Sequence, residues 1–149
     1  MIQPINIPRE QFPKSDVKSE GMITLNISCD NRDVKCFTDI EYINRDGISL
    51  SIQLILPSDR NENTPLVIYV PGSAFRWQNV KGVIPSACLL ANRGLAVAMV
   101  QYRGSEVASF PAQMLDVKAA VRFMKLNAHK YRLNPDHVYL MGDSSGGHS

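Results

Sequence analysis

The sequence predicts an α/β domain: a mostly parallel sheet with helices on both faces, in three layers. Three observations carry that prediction. Continuous apolar runs at residues 66–70, 95–100 and 137–141 have the length expected of strands buried on both faces. The stretches between them have helical character, so the order reads strand, helix, strand, helix, strand. Such alternation implies right-handed crossovers and parallel pairing.

Taken in order, the first twenty residues carry Pro4, Pro8 and Pro13 and no clear period, which predicts an extended arm over 1–20 ahead of a domain over 21–149. Two β-like segments follow, at 22–28 and 34–44. Asn44-Arg45-Asp46-Gly47 then reads as a turn in which Gly47 takes a positive φ. Ile48, Leu50, Ile52, Leu54 and Leu56 alternate with a period of two, which predicts a half-buried strand. Residues 57–65 are a polar loop.

The run 66–70 is stopped by Pro71-Gly72, and residues 83–92 read as a helix closed by Gly94. After the second run, Met114, Val117, Val121, Met124 and Ala128 recur at spacings of three and four and mark one face of a helix. Gln113, Asp116, Lys118, Arg122 and Lys125 supply its polar positions, and Pro111 sits in the permitted first turn. Asn134-Pro135-Asp136 ends that unit before the run 137–141.

A chain of 149 residues with 44% hydrophobic and 20% charged residues is one ordinary globular domain, neither disordered nor fibrous. Sixteen Lys and Arg against fourteen Asp and Glu leave a charge of +2, with no basic cluster to suggest nucleic acid or a membrane surface as partner. No apolar run approaches the roughly 18 residues of a spanning helix. Cys29, Cys36 and Cys88 form no CxxC and have no His at ligand spacing, so no metal is expected. Free thiols fit a reducing compartment, and with no secretory signal at the N-terminus the cytoplasm is the expected location.

The chemistry is concentrated in residues 142–149, Gly-Asp-Ser-Ser-Gly-Gly-His-Ser, directly after an expected buried strand. Residues 142–146 satisfy G-x-S-x-G with Ser144 at the centre. A sharp strand-to-helix turn holds such a serine in a strained conformation that lifts its hydroxyl clear of the surface. Small residues on both sides avoid clashes in so tight a turn. The N–H of Ser145 then faces the place where an oxyanion would form. The similar Gly-Asp-Ser-Gly-Gly of trypsin-like proteases is interrupted here by an extra Ser, and the surrounding chain is not all-β. A nucleotide-binding turn is the other option, but neither G-x-G-x-x-G nor a Walker pattern is present.

The stretch from Phe110 through Asn134-Pro135-Asp136 to Gly-Asp-Ser-Ser-Gly-Gly-His148 resembles the esterase/lipase group of the α/β-hydrolase superfamily. The match is nearest to its hormone-sensitive-lipase-like and feruloyl-esterase-like branch. The likeness extends back to Leu66 through Gln101-Tyr102-Arg103-Gly104-Ser105. It implies a serine carboxylesterase that forms an acyl-enzyme on Ser144, takes a small-molecule ester and needs no cofactor. In that family a His-Gly-Gly loop after the third strand supplies further oxyanion donors. The matching segment here is Pro71-Gly72-Ser73-Ala74-Phe75, which assigns that role to the N–H groups of Ser73 and Ala74.

A serine needs a base, and the base needs an orienting acid. In this fold both follow the nucleophile, yet only five residues follow Ser144. His148 is expected to be a helix position rather than the base, and His129 and His137 fall at the wrong edge of the sheet. Asp116 and Asp143 are expected to be a helix-face residue and an elbow residue. The resemblance therefore implies the N-terminal part of a larger hydrolase, cut after the nucleophile elbow by truncation, proteolysis or a split gene. A second chain is then a possible partner. The alternative is a non-catalytic α/β scaffold or interaction module that keeps the elbow without a triad.

Overall fold

The computed structural model describes Pro8, Gln11 and residues 33–149. The extended arm, the β-like segment 22–28 and Cys29 lie outside the described residues. Within them, five strands form one sheet: β1 (Val34–Arg45), β2 (Ile48–Pro57), β3 (Leu66–Val70), β4 (Ala96–Val100) and β5 (Val138–Gly142). The helices are α1 (Ile84–Ala91), preceded by a 3-10 turn at Val80–Val83, then α2 (Ala112–Leu126), α3 (Ala128–Tyr131) and α4 (Ser144–His148).

The strand order is β1-β2-β4-β3-β5. β2 pairs antiparallel with β1 and β4, while β3 pairs parallel with β4 and β5, so β2 alone runs against the other four. The β1–β2 hairpin turns on Asp46 and Gly47, at φ 53° and 81°, the left-handed pair that a two-residue turn between twisted strands requires. Gly94, at φ 87°, closes α1 as expected: its N–H donates to Ala91 O at 2.9 Å.

The three layers follow from the alternation of side chains. Leu50, Ile52, Leu54 and Leu56 of β2, with Ala96, Ala98 and Val100 of β4, meet Ala120 and Met124 of α2 on one face. Ile55, Val97 and Met99 point the other way and meet Val80, Ala87 and Ala91. The alternation in β2 therefore under-predicts its burial: Gln53 and Ile55 are as completely buried as Ile52 and Leu54, because α1 and its 3-10 turn cover the second face. Ala128, grouped by spacing with α2, belongs to α3.

The apolar run 137–141, which reads as a buried strand in a complete sheet and as an exposed edge in a chain cut after the elbow, is such an edge among the described residues: β5 pairs there only with β3, and Tyr139, Leu140 and Met141 are 57%, 63% and 42% exposed. One further expectation is corrected. Asp116 is not a solvated helix position but is completely buried. Its carboxylate takes Arg103 Nε at 2.8 Å and Nη2 at 2.9 Å, and also the Arg103 N–H at 3.1 Å. Arg45 Nε approaches the same carboxylate at 3.3 Å, without hydrogen-bond geometry. This pairing raises the Arg103 pKa further above its ordinary value and ties the segment after β4 to α2. No helix among the described residues is long and apolar enough to cross a membrane.

Candidate active site

The turn from β5 into α4 has the geometry that G-x-S-x-G demands. Asp143 is extended, at φ −116° and ψ 151°, and Ser144 enters the left-handed region at φ 48°. That conformation is costly for a residue with a Cβ and persists only where its surroundings enforce it. The flanking glycines show what enforces it. A Cβ on Gly142 would lie 2.8 Å from Gly146 C, one on Gly72 would lie 2.9 Å from Ser144 Cβ, and one on Gly146 would collide with the Val70 carbonyl. The elbow is therefore pressed directly onto the end of β3. Replacing Gly146 with Ala is expected to destabilise the protein by roughly 2–3 kcal/mol, because backbone rather than a movable side chain must give way. Urea denaturation of the full-length variant measures it.

Ser144 is exposed, and its Oγ has no hydrogen-bond partner among the described residues. It opens into a hollow of about 440 Å³ lined also by Ala74, Phe75, Ser145 and His148. Phe75 and His148 meet edge to face at 5.8 Å between ring centroids, and they also wall an adjoining cavity of about 380 Å³ that includes Phe110 and Met114. His148 thus lies beside the hollow, edge to face with Phe75, and no carboxylate pairs with it among the described residues. His129 sits on α3, 95% exposed and 3.8 Å from Glu62. His137 precedes β5, at the opposite end of the strand from Ser144.

The loop after β3 lies beside the elbow, and Ala74 and Phe75 both take positive φ, 53° and 59°. The Ser73 N–H donates to Ser145 Oγ at 2.9 Å and is therefore already engaged. The Ala74 N–H has no partner among the described residues. Ser145 itself is buried, at 6% exposure.

Several contacts around the site escaped the sequence pattern. Asp143 accepts the Tyr69 hydroxyl at 2.5 Å and the Gly72 N–H at 2.9 Å. Burial first, and then the hydrogen bond to Asp143, push the Tyr69 pKa up to about 12. The Tyr69 hydroxyl and then the Gly72 amide hold Asp143 below the usual carboxylate range. The sign follows from these directions. The Tyr69 contribution to stability is complete below the ordinary phenol pKa near 10 and is lost as pH rises through about 12. The Asp143 contribution is present above the ordinary carboxylate pKa of about 4 and is lost as pH falls through its lowered value. Ultraviolet difference titration should show a tyrosine with a midpoint near 12 that is missing from Tyr69→Phe. The contacts of Tyr102 were likewise unforeseen: its buried hydroxyl donates to Pro71 O at 3.0 Å and lies 3.1 Å from Ser73 Oγ.

Similar proteins of known structure or curated function are esterases and other hydrolases. The solved structure titled Bifunctional GH43-CE, from Bacteroides eggerthii, superposes with a TM-score of 0.67 at 35% identity, over 76% of this chain and 16% of that one. Esterase B from Lactobacillus rhamnosis, in an inhibited form, gives a TM-score of 0.70 at 29% identity, over 78% of this chain and 38% of that one. Among curated relatives, the probable carboxylic ester hydrolase LipM of Mycobacterium tuberculosis is 31% identical over 91 residues, 60% of this chain and 21% of its own length. The isoprenylcysteine alpha-carbonyl methylesterase ICME of Arabidopsis thaliana is 28% identical over 102 residues, 65% of this chain and 23% of its own. The matched stretch is thus under a quarter of the length of these curated relatives. The mostly parallel sheet with helices on its two faces is an α/β-hydrolase fold, and with the BD-FAE family model matching residues 52–149 the chain belongs to the BD-FAE family.

Proposed function

We propose that the protein is a serine carboxylesterase and that this chain is the N-terminal, nucleophile-bearing part of its catalytic domain. The domain would span residues 21–149 and continue beyond them, with an extended arm at 1–20. The observation that carries the reading is Ser144, held at φ 48° between β5 and α4 and opening onto a hollow lined by Ala74, Phe75, Ser145 and His148. Glycine would occupy that conformation without strain, so a serine there, with its hydroxyl open to the hollow, supports a use for the hydroxyl.

In the mechanism, Ser144 Oγ attacks the ester carbonyl while a histidine takes its proton. The tetrahedral oxyanion is held by the N–H groups of Ser145 and Ala74. Ser73, the other loop donor expected from the sequence, has its N–H engaged by Ser145 Oγ and is a weaker candidate. The intermediate collapses, the histidine protonates the departing alcohol, and water releases the acid from the acyl-enzyme. The histidine and its orienting Asp come from sequence beyond residue 149 or from a second chain. The substrate is a small-molecule ester, no cofactor enters a step, and the free Cys36 and Cys88 fit a reducing, cytoplasmic setting.

The test is fluorophosphonate labelling of the full-length protein followed by peptide mapping. Modification of Ser144, with parallel loss of p-nitrophenyl acetate hydrolysis, is the expected result; labelling elsewhere refutes the assignment. A non-catalytic scaffold is the second reading, favoured by the absence of any base against Ser144 Oγ among the described residues. No labelling and no hydrolysis in the full-length protein would establish it.

A further inference from the structure

The two residues flanking Ser144 grip consecutive amides of the loop after β3. Asp143 Oδ1 accepts the Gly72 N–H and Ser145 Oγ accepts the Ser73 N–H, each at 2.9 Å. The next amide along, that of Ala74, has no partner among the described residues and lies beside the hollow. From there the backbone runs through two successive left-handed residues, Ala74 and Phe75, which non-glycine residues do not hold unaided. The far side of the loop is fastened to the segment after β4: Ser105 N–H donates to Phe75 O at 2.6 Å. Behind Ser145, the Tyr102 hydroxyl lies 3.4 Å from Ser145 Oγ and holds Pro71 O.

We propose that the Ser145 side chain is a positioning residue for ester hydrolysis, gripping the Ser73 N–H so that the next amide, Ala74, faces the hollow at Ser144 as an oxyanion donor. The inference rests on the carboxylesterase reading and goes beyond it. That reading needs only the backbone of Ser145, and an alanine would supply the same N–H. The hydroxyl adds an acceptor that turns the Ser73 peptide away from the hollow and fixes the orientation of the peptide that follows. Without it, Ala74 and Phe75 relax toward negative φ and the donor withdraws. A donor aimed at the oxyanion acts on the transition state more than on the bound ester, so its loss falls on kcat rather than KM.

The experiment compares Ser145→Ala, Ser145→Thr and the unaltered full-length protein on p-nitrophenyl acetate, with Ser144→Ala as the zero and thermal midpoints recorded for all. Deleting an oxyanion donor outright costs on the order of 10²–10³-fold in kcat, and a displaced donor keeps part of that. Ser145→Ala is therefore expected to lose about 10–100-fold in kcat with KM within about twofold. Ser145→Thr, which keeps the hydroxyl, recovers most of the rate. A kcat for Ser145→Ala within about twofold of the unaltered protein overturns the proposal. Equal losses in the alanine and threonine variants, or a loss that tracks the thermal midpoint, overturn it as well. If Ser144→Ala itself retains the rate, it is the carboxylesterase reading that fails.

Discussion

Replacing Ser144 with Ala in the full-length protein is expected to lower kcat for ester hydrolysis by about 10⁴–10⁶-fold, with KM little changed. The loss is this large because, in the proposed mechanism, the hydroxyl is the atom that bonds to the acyl carbon. The same position makes an opposite prediction for stability. At φ 48° alanine suffers the same backbone strain as serine, whereas glycine does not. Ser144→Gly is therefore expected to be as inactive as Ser144→Ala yet more stable by about 1 kcal/mol. Urea denaturation of the two inactive variants reads that difference without interference from turnover. Equal stabilities would mean that the turn relaxes out of the left-handed region.

Replacing Asp116 with Ala is expected to cost about 3–5 kcal/mol, because it leaves Arg103 charged and largely buried without its carboxylate. Arg103 Nε and Nη2 both lose their acceptor, as does the Arg103 backbone N–H. Against a total stability of roughly 5–15 kcal/mol, that loss removes much of the folded population at physiological temperature. Converting both partners to apolar residues of similar volume, Arg103→Met with Asp116→Leu, should recover most of it, since the penalty comes from an unpaired buried charge rather than from a missing attraction. Denaturant midpoints of the single and double variants measure the coupling. A double variant as unstable as Asp116→Ala would show that the carboxylate matters through the Arg103 amide and Arg45 instead.

These effects mark where the sequence was legible. Gly47 and Gly94 announced their turns because a positive φ is a local requirement that glycine meets most cheaply. The serine elbow was equally local: its glycines, its serine and the strand before it are contiguous. Asp116 was misread because its spacing on α2 is that of a polar position, while its partner lies 13 residues earlier in the segment after β4. The burial of Gln53 was hidden for the same reason: Asp39, which its amide contacts at 3.2 Å, is 14 residues away on β1. The engagement of the Ser73 amide was beyond reach too, since its acceptor is 72 residues further along the chain. Periodicity reports how a segment meets a surface, not which single group on that surface it meets.

The contacts that shape the elbow have a temporal consequence. Val70, Tyr69 and Gly72, against which residues 142–146 are moulded, all belong to β3 and the loop after it. A ribosome makes them some seventy residues before Ser144. By the time β5 emerges, β3 can already be paired with β4 on its other side, so the incoming strand docks against a finished platform. The serine turn need not hold its unfavourable conformation while the chain before it is being made. It acquires that conformation on contact, when the last of these five strands is set in place.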